Sequence, residues 1–135
     1  MKKIILGLML IVGLIFIPAK LNAQVISLGQ VVYPTAVIAA SGTTSNYIQT
    51  NGMSLVGCQM PSTFTGSTIT FTVAPTGGAT YVPLYNSSGQ VSYSVSQGRF
   101  IAINPQDFYG VQFFKIVSGS TEGSARSLAC SMKGI

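Results

Sequence analysis

The chain contains no histidine, and of its 135 residues only two, Asp107 and Glu122, are acidic. These shortages exclude most hydrolytic chemistry. A Ser-His-Asp relay lacks its base, and a paired-carboxylate site would need both acids together although they fall in different segments. Asp107 reads instead as support for a short helical turn. Glu122 reads as a loose, exposed partner of Arg126, worth at most about 1 kcal/mol. Cysteine is equally sparse: Cys58 and Cys130 are the only two, too far apart for a CxxC redox motif. Without histidine a zinc site has no support, so neither metal nor cofactor is expected. Charge is scarce too, at 7% of residues against 47% hydrophobic. Solubility must then rest on hydroxyls, amides and glycines, a composition that suits extracellular or capsid-like β proteins.

The N-terminus reads MKKIILGLMLIVGLIFIPAKLNAQ. Lys2 and Lys3 precede an apolar run from Ile4 to Ile17, and Ala23 supplies a small residue before Gln24. This is the layout of a secretory signal peptide, and retention as a membrane anchor is the alternative. Residues 1–23 are therefore set apart as a hydrophobic signal or anchor helix, and residues 24–135 form the domain. Its removal leaves Arg99, Lys115, Arg126 and Lys133 against Asp107 and Glu122, four minus two, a balance of about +2. Four scattered cations make no footprint for DNA or RNA, so no nucleic-acid partner is expected.

Beyond Gln24 no amphipathic helix of useful length occurs. Short alternating runs are broken by Gly, Pro, Asn and Ser, which predicts an all-β fold, a sandwich or a barrel. VVYPTAVIAASG is kinked by Pro34, and SNYIQTNG ends in the turn dipeptide Asn51-Gly52. In MSLVGCQMP, Val56, Cys58 and Met60 share one face. In TITFTVA, Ile69, Phe71 and Val73 alternate with threonines, a half-buried strand. The glycines of PTGG that follow lack the Lys-Ser/Thr pair and helix of a phosphate-binding loop, so they mark a hairpin bend. Pro83 in the returning ATYVPLY suggests an edge strand or bulge. NPQDFYG reads as one helical turn, capped by Asn104, opened by Pro105 and closed by Gly110. In the last strand Leu128, Cys130 and Met132 share a face.

The succession SLVGCQMP, TITFTVAPTGGATYVPLYNSSG, GRFIAINPQDFYGVQFFKIVSGS and ARSLACSMKG resembles a group of small β-sandwich bacteriophage proteins, similar to discoidin-like jelly rolls. The resemblance spans about Ser54 to Lys133 and implies a single antiparallel β-sandwich, jelly-roll-like, behind the hydrophobic signal or anchor helix. It implies a non-enzymatic virion component that decorates or completes a capsid or spike. Cys58 and Cys130 stand where that pattern has aliphatic residues in both partner strands, which supports a disulfide between them. Two small buried hydrophobes are the alternative. The leader is a second departure, and it points to an exported or membrane-associated particle or to the cell surface.

Tyr81, Tyr85, Tyr93 and Tyr109 lie in or beside loops, where sugar rings can stack on them. Tyrosine is equally an ordinary half-buried strand residue, so both readings stay open. Arg99 and Arg126 can orient a carboxylate or sulfate, or serve as solvated strand ends. The expected partners are other virion or surface proteins, in a homo-oligomer or capsid lattice, with membrane contact through residues 1–23. A secreted surface module that binds carbohydrate is the alternative, and an adhesin-like subunit using strand exchange is a third class.

Overall fold

The computed structural model describes residues 29–134, so the expected signal or anchor helix at residues 1–23 lies outside the described residues. Among the described residues no helix is long and apolar enough to cross a membrane. The described residues are all-β: β1 (Val31–Val32), β2 (Thr35–Ile38), β3 (Ile48–Gln49), β4 (Met53–Gln59), β5 (Thr68–Ala74), β6 (Val82–Pro83), β7 (Tyr85–Asn86), β8 (Gly89–Gln90), β9 (Ser92–Ser94), β10 (Phe100–Ala102), β11 (Phe113–Ser118) and β12 (Arg126–Gly134). A 3-10 turn, Pro105–Phe108, separates β10 from β11.

The strands pair antiparallel in two five-stranded sheets and one small hairpin. In the first sheet β12 pairs with β1 and β2 along one side and β4 along the other, and β10 closes the far edge of β4. In the second, β11 lies between β3 and β5, and β5 takes β6 and β9. The hairpin is β7 with β8. Pro83 sits in β6 at the sheet margin, where its missing N–H disrupts no ladder.

Both sheets turn apolar faces into one core. Ile69 and Phe71 of β5, Phe114 and Ile116 of β11, and Leu128, Cys130 and Met132 of β12 are all buried, as the period-two pattern predicts. Phe108, in the 3-10 turn, packs edge-on against Phe71 at 5.0 Å and Phe114 at 5.4 Å between ring centroids. Burial of each such ring contributes on the order of 2–3 kcal/mol, and the edge-to-face geometry adds to it.

Cys58 and Cys130 form a disulfide. They face one another across β4 and β12, with Cα atoms 3.9 Å apart, and the amide of Cys130 turns away to donate to the Pro34 carbonyl. The strand that carries Cys58 is thus a direct neighbour of the last strand, as a bridge requires.

Two local expectations change. Val56 does not share the inward face of Cys58 and Met60. The β4–β12 register steps from Gly57 opposite Ser131 to Leu55 opposite Met132, so Val56 is the extra residue of a β-bulge. The bulge reverses the alternation, burying Leu55 completely and turning Ser54 and Val56 to the outer face. Asn51 and Gly52 do adopt the left-handed turn that their sequence favours, at φ 51 and 79. Their flanking strands nevertheless belong to different sheets. Buried Thr50 ties the chain to β11's approach instead, its Oγ1 donating to the Val111 carbonyl at 2.6 Å. The dipeptide therefore turns a corner between sheets.

Gly57 illustrates how tightly the outer face of β4 is covered. A Cβ there would lie 2.8 Å from the Ile101 carbonyl oxygen and inside the Phe100 ring. Gly57→Ala should lower the unfolding free energy by roughly 1–3 kcal/mol. Urea denaturation checks this. Adding Phe100→Ala should restore only part of the loss, because the backbone clash remains.

Candidate functional site

The β7–β8 hairpin, β9 and the 3-10 turn meet around a polar cleft of about 280 Å³. Asn86, Gln90, Ser92, Tyr93, Asn104 and Asp107 contribute to its walls. Asn104 caps the 3-10 turn by accepting from the Gln106 amide at 3.2 Å, and this projects Asp107 toward the hairpin. The Asp107 carboxylate does not brace its own turn, as the sequence suggested. It accepts from Asn86 Nδ2 at 3.1 Å and from the Tyr93 hydroxyl at 3.3 Å. The same hydroxyl accepts from the Asn104 amide at 2.9 Å. Burial raises the Tyr93 pKa. The Asn104 amide works against that rise, and the Asp107 charge and its hydrogen bond add to it. Tyr93 thus stays a neutral phenol that donates and accepts at once. Such a surface offers amides, hydroxyls and one carboxylate to a polyhydroxylated ligand.

The second carboxylate is elsewhere and is not exposed. Glu122 is fully buried, and its pairing with Arg126 at 2.9 Å is an internal ion pair rather than a loose surface contact. It also accepts from the amides of Thr65 at 3.0 Å and Gly66 at 3.3 Å, and from Ser118 Oγ at 3.0 Å. Burial alone would raise its pKa. The hydrogen bonds from Arg126, Thr65 and Ser118 outweigh that and hold the carboxyl below its ordinary value. Arg126 is consequently engaged with Glu122 through Nε and with Ser124 through Nη1. Arg99 lies exposed in the turn before β10.

The four tyrosines singled out by the sequence do not converge on one cleft. Tyr93 lines the polar cleft through its hydroxyl side. Tyr109, half exposed after the 3-10 turn, separates two other clefts of about 250 and 330 Å³. Tyr85 is 65% exposed on the hairpin. Tyr81 lies beneath Lys115, whose Nζ is 4.2 Å from the ring centroid, and its hydroxyl reaches the Gly77 carbonyl at 3.4 Å. Neither Tyr81 nor Tyr85 lines any of these three clefts. Tyr47, outside the group that the sequence singles out, stacks edge-on with Phe113 at 5.7 Å on the outer face of the second sheet. Among the described residues no group of three or more potential metal ligands occurs. No protein-family model matches the chain, nor does any curated protein or solved structure.

Glu122→Gln places an amide where every neighbour donates, leaving Arg126 without its counter-charge. The expected loss is about 3 kcal/mol at neutral pH, read from chemical denaturation. The folded-state pKa is depressed, so Glu122's contribution is complete above its ordinary value of 4.5 and is lost as pH falls through the lower folded value. Wild type and Glu122→Gln should therefore differ by a constant amount from pH 7 to about pH 5 and converge in more acidic buffer.

Proposed function

We propose that the chain is a non-enzymatic structural component of an exported or membrane-associated virion, a jelly-roll-like β-sandwich acting through protein–protein contacts. Two antiparallel sheets around one core are the layered arrangement this fold requires. The disulfide suits an oxidising compartment. The observation that carries the reading is an apolar margin on the first sheet. Val31 and Val37 are each 40% exposed and Tyr33 is 74% exposed, all on or between β1 and β2. Valines and an unsupported tyrosine at one sheet margin favour burial against another protein.

The margin favours side-chain contact over strand exchange. The Val37 amide already donates to Asn46 Oδ1 at 2.6 Å, and its carbonyl accepts from the Asn46 amide at 3.0 Å, so this stretch of edge is occupied. The inventory of polar groups argues against catalysis. Asp107 is held by Asn86 and Tyr93, Glu122 is sealed under Arg126, and no histidine exists to act as a base.

Carbohydrate binding by a secreted surface module is the second reading, and the polar cleft around Tyr93 and Asp107 favours it. Gradient fractionation of particles from the producing cells separates the two. The virion reading predicts that the chain co-sediments with particles, and that Tyr33→Ser reduces incorporation roughly tenfold, the loss of one interface anchor. Recovery only as free protein in the medium would contradict it.

A further inference from the structure

The β4 bulge creates a second site that sequence spacing could not reveal. Ser54 and Lys133 are direct partners across β4 and β12, so their side chains leave the same face of the sheet. With Val56, Pro105, Tyr109 and Gly134 they line a cleft of about 250 Å³. Ser54 is only 1% exposed, yet its Oγ has no hydrogen-bond partner within the protein. Buried hydroxyls are nearly always partnered, and this one lies against the cleft.

The other walls divide into two chemistries. Val56, Pro105 and the half-exposed ring of Tyr109 form an apolar side. Lys133 supplies an exposed ammonium on a flexible stem. Neither side-chain carboxylate competes for it, since Asp107 is held by Asn86 and Tyr93 and Glu122 by Arg126.

We propose that this cleft binds the carboxylate-bearing ring of an acidic sugar, a hexuronate or related residue of a surface polysaccharide. The carboxylate pairs with Lys133, the C–H face of the ring lies on Tyr109 and Pro105, and a ring hydroxyl partners Ser54 Oγ. The volume suits one sugar ring rather than a drug-sized ligand. A simple inorganic anion would leave the apolar wall unused. Lys133 is the strand partner of Val31 in the apolar margin, but no margin residue lines the cleft, so Tyr33→Ser and Lys133→Gln test the two assignments apart.

Titration of the full-length oxidised protein with sodium glucuronate, followed by amide NMR, tests the proposal, with glucose as the neutral control. Saturable shifts should cluster at Ser54, Val56, Tyr109 and Lys133, with a dissociation constant on the order of a millimolar, as one small ligand gives. Glucose should bind at least about tenfold more weakly, and Lys133→Gln should erase that preference. Ser54→Ala should weaken glucuronate binding several-fold while leaving the urea midpoint unchanged or raised, because it deletes an unpartnered hydroxyl. A purely structural serine would lower the midpoint and leave affinity alone. Absence of saturable shifts, equal binding of glucose, or wild-type affinity in both variants would overturn the proposal. So would shifts at these residues that appear only as protein concentration rises, which would mark the cleft as a contact between copies.

Discussion

Glu122 gathers hydrogen bonds from the amides of Thr65 and Gly66, the hydroxyl of Ser118 and the guanidinium of Arg126, and it does so without contact with solvent. Its own backbone is engaged as well: its amide donates to the Gly42 carbonyl, and its carbonyl accepts from the Ser41 amide. The connections after β2, before β5 and before β12 therefore converge on one residue. These connections pass between the two sheets, and loops carry amides that apolar packing cannot satisfy. A buried charge with every lone pair engaged adds little net stability compared with an apolar cluster of equal volume. Its effect is on specificity: any other arrangement of these loops strands a carboxylate in the interior. Ser118 shows the same logic on a smaller scale. It ends the inward row Phe114, Ile116, Ser118 with a hydroxyl because the next neighbour is Glu122.

At the centre of the first sheet, the β4–β12 pair imposes a second constraint. The disulfide holds Cys58 opposite Cys130, and the bulge lies immediately beyond, at Val56. The bulged residue's carbonyl accepts from the Ile103 amide at 2.9 Å, which carries the β4–β10 edge pairing one residue past β10. From there the chain enters the 3-10 turn, whose Phe108 reaches back into the core while Asp107 and Tyr109 face outward into different clefts. One extra residue in a strand thus puts Ser54 and Val56 together in the wall of the apolar-walled cleft.

Much of the architecture was legible because it depends on local chemistry. The alternation in TITFTVA, the cap and proline of NPQDF and the left-handed Asn51-Gly52 turn all follow from neighbours in sequence. What escaped is non-local. Nothing in SLVGC distinguishes Leu55 from Val56 as the buried residue until β12 fixes the register. Glu122 and Arg126 read as a surface pair at i,i+4 because Thr65, Gly66 and Ser118, which enclose the carboxylate, come from distant or differently patterned segments. The tyrosines were read as a group from their loop positions. Their separation follows from β6, β7 and β9 each pairing differently after the PTGG bend. Ser54 and Lys133 carried no signal at all, since only strand pairing brings them together.

If Glu122 is the constraint that fixes the connecting loops, its effect must be visible where no ladder exists. Native-state hydrogen exchange of the oxidised protein at neutral pH reads it directly. Thr65 and Gly66 lie outside any strand, yet their amides should exchange as slowly as those paired between β4 and β12, because both must await opening of the buried carboxylate site. Exchange of Thr65 and Gly66 at the rate of exposed turns such as Ser87–Ser88 would contradict the account.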